Sequence, residues 1–567
     1  VTCPTALDTI TMLAASDPDC TGPIVINGAP MSYWGGAWTE GEGNNPMRYS
    51  GGLLGGSWLA SMTADMGNGL FDGAWLVQNF EGLNPANTYW NKYYHLFAKV
   101  DTEAPRFLEF ERWWGGFYLM NREEIEWIVQ NLFVGDKVWK AQTGVDGQVF
   151  DLRAIRSPIV LFASMGDNIT PPQQAFNWVA DTYGSTDEIK ARGQVIVGLL
   201  HETVGHLGIF VSGAVAKKEH AQIVEVLRSI ELLPPGLYGM KIDESTGSDG
   251  QPAYEVSFVE RRLEDISAQL NRFERKDEEV FEAVAEMSEF NQRAYELYAQ
   301  PLVQAMSSEA AAEASRKLNP MRLEQSIASD QNPWLAWVAP MAEAVRTARR
   351  PVAHDSPFKQ AERAHSELIA ASLDYWRDVR DGLSEAQFFH TFGVMFPALH
   401  AGRPQKADTA PSRVTPEREA PVVREALGAL DHGGYAEALA RAACLLARKG
   451  EPVPLARVEL KAELVREYAE LFPPLEADQW RTIRGRQEII CRHEPERALQ
   501  AFPQLLASTE ERQRFLTVLD TLLADPRLQA ARVTPAQRKM VQRLRELLPV
   551  AAVPRQAPQR RFVSNLS

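Results

Sequence analysis

Three short runs of apolar residues, each bounded by glycine, proline or polar residues, most constrain what this chain can fold into. They span residues 22–28, 159–163 and 195–200. Runs of this length that are apolar throughout are typical of parallel strands buried on both faces of a sheet. A helix is expected to begin near Pro171, after the second run. The pattern therefore predicts an α/β domain over residues 1–245.

The insertion between the first and second runs, about residues 31–150, is rich in glycine and aromatic residues. Part of it, Arg122 to Phe133, alternates charged and apolar residues at helical spacing. We interpret this insertion as a mostly helical lid or cap over the sheet. Its aromatic pairs, Tyr33-Trp34 and Trp113-Trp114, are candidates for a substrate-binding tunnel, although packing inside the lid is the favoured alternative.

The rest of the chain is predicted to be helical. Residues 246–400 form a long-helix region, whose longest stretch without glycine or proline runs from Val256 to Gln300. Residues 401–419 have the composition of a linker, residues 420–550 predict a C-terminal helical domain, and residues 551–567 a disordered tail. The expected fold class is thus α/β plus all-α.

Charge and cysteine content exclude several classes of protein. The formal net charge of -15 argues against a nucleic-acid-binding face, which requires clustered lysine and arginine. The four cysteines, Cys3, Cys20, Cys444 and Cys491, are scattered and predict neither a metal site nor a disulfide framework. No apolar run reaches the length of a membrane span, and no signal peptide is visible. We therefore expect a cytoplasmic protein with no transmembrane segment, no bound cofactor and no metal.

Two loops that follow predicted strands carry residues with catalytic potential. Asp167 comes four residues after the run 159–163, and His206 follows the run 195–200. Ligands and catalytic groups of open α/β sheets gather at the carboxyl ends of the strands. A turn or N-cap role for Asp167 is the competing interpretation. His201 and His206 are five residues apart rather than four, which argues against a zinc-protease motif, and we expect His201 to be structural.

An acidic loop followed by a histidine loop is the order found in α/β-hydrolases, whose nucleophile lies earlier, on a strand-to-helix turn. Cys3 is the suitable residue, one short predicted helix ahead of the first apolar run. The order Cys3, Asp167, His206 then fits a catalytic triad.

Longer segments make the resemblance more specific. The chain resembles the polyhydroxyalkanoate-synthase-like family of the α/β-hydrolase superfamily in residues 22–34, 45–49, 51–59, 84–90, 109–121 and 158–210. The resemblance implies an acyltransferase acting on hydroxyacyl thioesters of coenzyme A, with Cys3 as nucleophile, His206 as base and Asp167 as its partner. It also implies a coenzyme A thioester as the small-molecule substrate. We further expect either a homo-oligomer or association with polymer granules.

The chain departs from the family around Cys3. The family pattern Gly-x-Cys-x-Gly reads Val1-Thr2-Cys3-Pro4-Thr5 here, and Pro4 has no N–H to donate to an oxyanion. Because the chain begins with valine and no strand precedes Cys3, we expect a partial, N-terminally truncated α/β-hydrolase domain. Two alternatives stay open beside the acyltransferase: an ester or thioester hydrolase with the same triad, and a catalytically decayed binding or scaffold protein. Whether the chain is an enzyme is thus left open at this point.

Overall fold

The structure is a computed structural model, and it describes most of the chain with several gaps. The described residues are 17, 21–36, 55–140, 142, 144–145, 148–149, 151–167, 169–227, 229–246, 251–271, 275–330, 332–350, 352–353, 355–397, 417–447, 450–530 and 533–549. Cys3 and Cys20, most of the predicted linker at 401–419 and the predicted tail at 551–567 lie outside them.

One mixed sheet organises the α/β part of the chain. In chain order the described strands are β1 (Ile24–Asn27), β2 (Leu70–Asp72), β3 (Leu119–Asn121), β4 (Gly144–Val145), β5 (Gln148–Val149), β6 (Ile159–Ser164), β7 (Val195–His201), β8 (Gly236–Thr246), β9 (Pro252–Arg261) and β10 (Val453–Pro454). The main sheet has the order β1-β6-β7-β8-β9-β10. Its first four strands are parallel, whereas β9 and β10 add on antiparallel. The three predicted strands are thereby confirmed as β1, β6 and β7.

Each face of the sheet is covered by helices, which explains why the central strands are apolar throughout. Ile159 and Leu161 of β6 pack on one side, in a cluster that includes Trp178. Val160 and Phe162 point to the other side, in a cluster that includes Ile209. All six residues of β6 are buried. Parallel strands covered on both faces lose the alternation of polar and apolar residues that exposed sheets show.

The helices fall into four groups along the chain. The cap contains α1 (Trp58–Met66), α2 (Ala74–Glu81), α3 (Lys92–Ala98), α4 (Ala104–Trp114) and α5 (Arg122–Ile128). The sheet region contains α6 (Pro172–Tyr183), α7 (Thr186–Ala191), α8 (His206–Val211), α9 (Gly213–Val215) and α10 (Ala221–Val226). The long-helix region contains α11 (Leu263–Leu270), α12 (Lys276–Ala294), α13 (Gln300–Met306), α14 (Glu309–Lys317), α15 (Pro320–Ile327), α16 (Val338–Ala348) and α17 (Pro357–Phe388). The C-terminal group contains α18 (Pro421–Gly428), α19 (Tyr435–Leu446), α20 (Leu455–Glu467), α21 (Ala477–His493), α22 (Pro495–Gln500), α23 (Phe502–Leu505), α24 (Thr509–Ala524), α25 (Pro526–Ala530) and α26 (Pro535–Leu547).

Helix α21 packs tightly against the sheet region. The Arg481 guanidinium donates hydrogen bonds to the carbonyl oxygens of Gly193 (3.1 Å), Glu231 (3.2 Å) and Arg156 (3.0 Å). A Cβ atom added at Gly485 would lie 1.7 Å from the Lys190 carbonyl oxygen. The helix backbone therefore approaches α7 at a distance that only glycine permits.

The prediction of continuous helix from Val256 to Gln300 was wrong at its start. Val256 belongs to β9, which forms a long antiparallel hairpin with β8. Helix begins only at Leu263. The sheet therefore extends past the expected domain boundary at residue 245, and β10 extends it further with residues from the C-terminal group.

None of the helices in the described ranges combines the length and apolarity that crossing a bilayer requires.

Candidate active site: an Asp–His pair at the end of the parallel strands

The structure brings Asp167 and His206 together at the carboxyl ends of two neighbouring parallel strands. Asp167 follows β6, and His206 is the first residue of α8, after β7. The distance between Asp167 Oδ2 and His206 Nδ1 is 2.8 Å. Asp167 is only 1% exposed, whereas the His206 side chain is 21% exposed. The carboxylate thus lies beneath an imidazole that solvent reaches.

Asp167 is held by the backbone as well as by the histidine. Its Oδ1 accepts hydrogen bonds from the N–H groups of Ile169 (2.9 Å) and Thr170 (2.8 Å). One carboxylate oxygen therefore makes the backbone contacts that the turn interpretation predicts, and the other contacts His206. An aspartate fixed in this way orients the histidine ring and favours the Nδ1–H tautomer, which leaves Nε2 as the nitrogen that can accept a proton.

Two glycines that the sequence analysis did not single out lie beside the Asp–His pair, one at a close approach of two loops and one at a positive φ. A Cβ at Gly166 would lie 2.2 Å from the Thr203 carbonyl oxygen, so the β6 and β7 loops meet only because residue 166 is glycine. Gly28 follows β1 with a φ of 51°, and a Cβ there would lie 3.8 Å from Asp167 Oδ2. The only available signal was a glycine within two residues of the end of β1 and of β6.

His201 organises the loop that carries His206. Its Nδ1 accepts hydrogen bonds from the N–H groups of Thr203 and Val204, each at 3.1 Å. The Nε2 atom lies 3.9 Å from a carboxylate oxygen of the buried Glu219. His201 is therefore tied to the loop backbone, and His206 is the imidazole paired with Asp167.

The aromatic candidates lie in other groups of side chains. Tyr33 and Trp34 are each 6% exposed and belong to an apolar cluster that includes Phe281. Trp34 Nε1 donates to the carbonyl oxygen of Val134 (3.1 Å), and its ring lies under the Lys140 ammonium. Tyr33 and Trp34 therefore link the end of β1 to the cap, and both side chains pack in the interior of the protein.

Trp113 and Trp114 lie at the end of α4 in the cap. Their rings are 5.8 Å apart, and both contact Phe110. Trp114 Nε1 donates to a Glu81 carboxylate oxygen at 2.7 Å, while Trp113 is 57% exposed. This pair forms an outer aromatic group, separate from the cluster of Tyr33 and Trp34.

A buried carboxyl group joins the cap to the residues after β1. Asp136 Oδ1 accepts from the Tyr33 N–H (2.7 Å), and Oδ2 accepts from Trp139 Nε1 (2.8 Å). Burial raises the pKa of Asp136 to about 7, although Lys140 and these hydrogen bonds oppose the rise. The folded protein therefore keeps a proton on Asp136 at pH values where the unfolded chain has lost it.

This raised pKa predicts how stability depends on pH. Between about pH 4 and pH 7 the folded state holds one more proton than the unfolded state, so the free energy of unfolding falls as the pH rises. The expected contribution is roughly 1.4 kcal/mol per pH unit. Urea unfolding across this window, compared with an Asp136→Asn variant, measures it. Equal slopes for the two proteins would contradict the assignment.

Comparison with known proteins places the chain in a family. A family model described as "Protein of unknown function (DUF3141)" matches residues 3–429, which include Cys3, Asp167 and His206. A relative from Rhizobium meliloti, described as "Uncharacterized protein in ackA 5'region", is 42% identical over 542 residues, 92% of this chain and 72% of the relative. No solved structure matches the chain significantly. Because the family model covers most of its length, the chain belongs to the DUF3141 family.

Proposed function

We propose that this chain is an acyltransferase of the polyhydroxyalkanoate-synthase type, built on a partial α/β-hydrolase fold and acting on hydroxyacyl thioesters. The observation that carries the proposal is the contact of 2.8 Å between Asp167 Oδ2 and His206 Nδ1. The strand order supports it, because β1, β6 and β7 are adjacent and parallel, with acid and base loops after the second and third. Cys3 is the proposed nucleophile and lies outside the described residues.

The proposed reaction has two transfers that use the same base. His206 Nε2 accepts the thiol proton of Cys3, and the thiolate attacks the thioester carbonyl carbon. The bond from that carbon to the coenzyme A sulfur then breaks, and the departing thiolate takes the proton from His206. In the second transfer His206 accepts the proton of an acceptor hydroxyl, whose oxygen attacks the acyl-cysteine and releases the Cys3 thiolate, which recovers the proton. Asp167 stabilises the imidazolium formed in each step.

The hydrolase alternative differs only in the acceptor, which is water instead of a hydroxyl group. The same Asp–His pair would serve it, since the base takes its proton from whichever nucleophile occupies the site. The scaffold alternative needs no nucleophile. A single incubation distinguishes the acyltransferase, the hydrolase and the scaffold, because the first two leave different products and the scaffold leaves none.

The experiment is incubation of the chain with a 3-hydroxyacyl thioester of coenzyme A, followed by mass spectrometry of the intact protein and of its peptides. We expect release of one free coenzyme A thiol for each acyl group added to the Cys3 peptide, followed by growth of an oligoester. A Cys3→Ala variant should lose both signals, and a Cys491→Ala variant should lose neither. Release of free hydroxy acid without oligoester would favour the hydrolase. No acylation of Cys3 and no thiol release would contradict catalysis altogether.

A further inference from the structure

Two of the four cysteines meet where α19 packs against α21. Cys444 lies on α19 and Cys491 on α21, and each is 6% exposed. Cys444 Sγ lies 3.9 Å from the carbonyl oxygen of Arg484 on α21. Cys491 Sγ lies 3.9 Å from the carbonyl oxygen of Arg441 on α19. The Cys444 thiol also donates a hydrogen bond to the Cys491 sulfur, so two free thiols are in contact across a helix interface.

The same interface holds a buried cation, Arg441, that no carboxylate accompanies. Its side chain is fully buried and donates hydrogen bonds to Gln487 Oε1 (2.7 Å) and to the carbonyl oxygens of Ala498 (3.2 Å) and Leu430 (2.8 Å). All three acceptors are neutral. Among the residues that the structure describes, no carboxylate oxygen comes within 4.0 Å of this guanidinium. Because a charge buried without a countercharge is costly, the interface favours an anion beside Arg441.

The other buried cations of this region have their countercharges. Arg484 Nε donates to a Glu488 carboxylate oxygen at 2.9 Å, and Glu488 also contacts the Lys190 ammonium at 2.9 Å. Lys190 contacts Glu260 as well, so two cations are matched by two carboxylates. Arg441 differs from both in lacking such a partner within the described ranges.

The two thiols differ in how readily they ionise. The hydrogen bond from Cys444 lowers the pKa of the Cys491 thiol, and the two nearby arginines lower it further, against the opposing effect of burial. Burial raises the pKa of the Cys444 thiol well above its ordinary value. Burial lowers the pKa of Arg441, and the Cys491 thiolate is the strongest opposing influence. Cys491 is therefore the anion that Arg441 favours, and a thiolate is the form of cysteine that reacts with oxidants.

We propose that Cys444 and Cys491 are a redox-sensitive pair, which a small peroxide converts into a disulfide that joins α19 to α21. The Cys491 thiolate attacks one oxygen of hydrogen peroxide, the O–O bond breaks and hydroxide leaves, so Cys491 becomes a sulfenic acid. The Cys444 sulfur then attacks the Cys491 sulfur, the S–O bond breaks, and the Cys444 proton leaves with the hydroxyl group as water. The two sulfur atoms together lose two electrons, and the peroxide is reduced to water and hydroxide.

A metal ion fits the pair less well than an oxidant does. A structural zinc site needs four ligands, and a catalytic one needs three from the protein. In the part of the chain that the structure describes, no group of three or more histidine, cysteine, aspartate and glutamate side chains could hold a metal ion. The Arg441 guanidinium beside the thiols would also repel a cation. Two thiols in contact with each other are instead what disulfide formation requires.

The test is treatment of the full, reduced chain with hydrogen peroxide, followed by unfolding, alkylation of the remaining thiols and trypsin digestion without reductant. Hydrogen peroxide is the probe, because thiols that are 6% exposed admit only a small oxidant. Cleavage after arginine releases Cys444 in peptide 442–448 and Cys491 in peptide 487–492. We expect these peptides to appear joined, about 2 Da lighter than their sum, because disulfide formation removes two hydrogen atoms. Dithiothreitol should restore both free peptides.

Single substitutions test which thiol reacts first. In Cys444→Ala no second thiol completes the disulfide, so dimedone, which traps sulfenic acids, should label peptide 487–492. In Cys491→Ala the remaining Cys444 thiol keeps its proton, so dimedone should leave peptide 442–448 unlabelled. Cys20→Ala is the matched control, since Cys20 lies in the separate peptide 1–48, and its joined peptides should form as in the wild type.

The wild-type measurement needs no substitution, so a variant that unfolds leaves it intact. Two wild-type peptides that stay separate and are fully alkylated after peroxide treatment would overturn the proposal. Joined peptides found only in a covalent dimer on a non-reducing gel would overturn it too, because the disulfide would then link two chains. Dimedone labelling of Cys444 in Cys491→Ala, without labelling of Cys491 in Cys444→Ala, would contradict the proposed chemistry.

Discussion

Replacing His206 by alanine should lower the proposed rate of Cys3 acylation by about 10²–10⁴, the usual contribution of a general base. Replacing Asp167 by asparagine should have an effect of similar size, because the amide would no longer stabilise the imidazolium and would favour the wrong tautomer. Both effects follow from the contact between Asp167 Oδ2 and His206 Nδ1. The measurement is the rate of free thiol release from a hydroxyacyl thioester, under single-turnover conditions.

Folding must stay intact for that comparison to be informative. Asparagine retains one oxygen that can accept the N–H groups of Ile169 and Thr170, so Asp167→Asn should unfold near the wild-type temperature. Asp167→Ala would instead leave these groups unpaired, at a cost of about 1–3 kcal/mol. His432→Ala, at an exposed turn in the C-terminal group, is the matched control and should keep full activity. Full activity of His206→Ala would refute the assignment of the base.

Gly485→Ala should be the most damaging single-methyl change in the C-terminal group. The new Cβ would lie 1.7 Å from the Lys190 carbonyl oxygen and 3.0 Å from Pro235 Cγ, so α21 must move away from α7. That movement strains the three hydrogen bonds of the buried Arg481 and the contact of 2.9 Å between Lys190 and Glu488. The expected loss is about 3–5 kcal/mol of unfolding free energy, the upper range for overpacking with broken buried polar contacts.

Urea unfolding of the full chain, followed by far-ultraviolet circular dichroism, measures this loss. Gly428→Ala is the control, because a Cβ at this helical residue of α18 meets nothing within 4 Å. It should be neutral or stabilise the protein by up to about 1 kcal/mol. If Gly485→Ala were as stable as Gly428→Ala, α21 would not be packed against α7 as described.

The sequence predicts those parts of the fold whose signal is local. The runs that became β1, β6 and β7 are buried on both faces, and continuous apolar character identifies such strands. β9 was missed although Val256 and Phe258 alternate with more exposed residues, because the long helical stretch after Leu263 dominated the interpretation. β10 has only two residues, and its pairing with β9 depends on contacts some 200 positions apart in the chain.

In the candidate site, too, residues with a local sequence signal were predicted, and residues whose role depends on packing were not. Asp167 and His206 were identified from the order of their loops after two strands, and topology then places such loops at one edge of the sheet. Gly166 was not identified because its role lies in how closely two separate loops approach, and Gly28 was not identified because its positive φ is a property of the folded backbone. The dual role of the Asp167 carboxylate, with one oxygen on the backbone and one on His206, likewise depends on distances that no pattern of residues contains.

If Cys3 shares one site with Asp167 and His206, the ionisation of its thiol depends on the imidazole. The rate of Cys3 alkylation by iodoacetamide, followed on its peptide by mass spectrometry as the pH is varied, reports the thiolate fraction. Burial raises the pKa of the Cys444 thiol, so the peptide that contains it serves as a slowly reacting internal reference. A thiol paired with an imidazole should react with a midpoint well below the ordinary value of about 8.5, and His206→Ala should return the midpoint to that value. An ordinary midpoint that is the same in the wild type and in His206→Ala would show that Cys3 is not paired with His206.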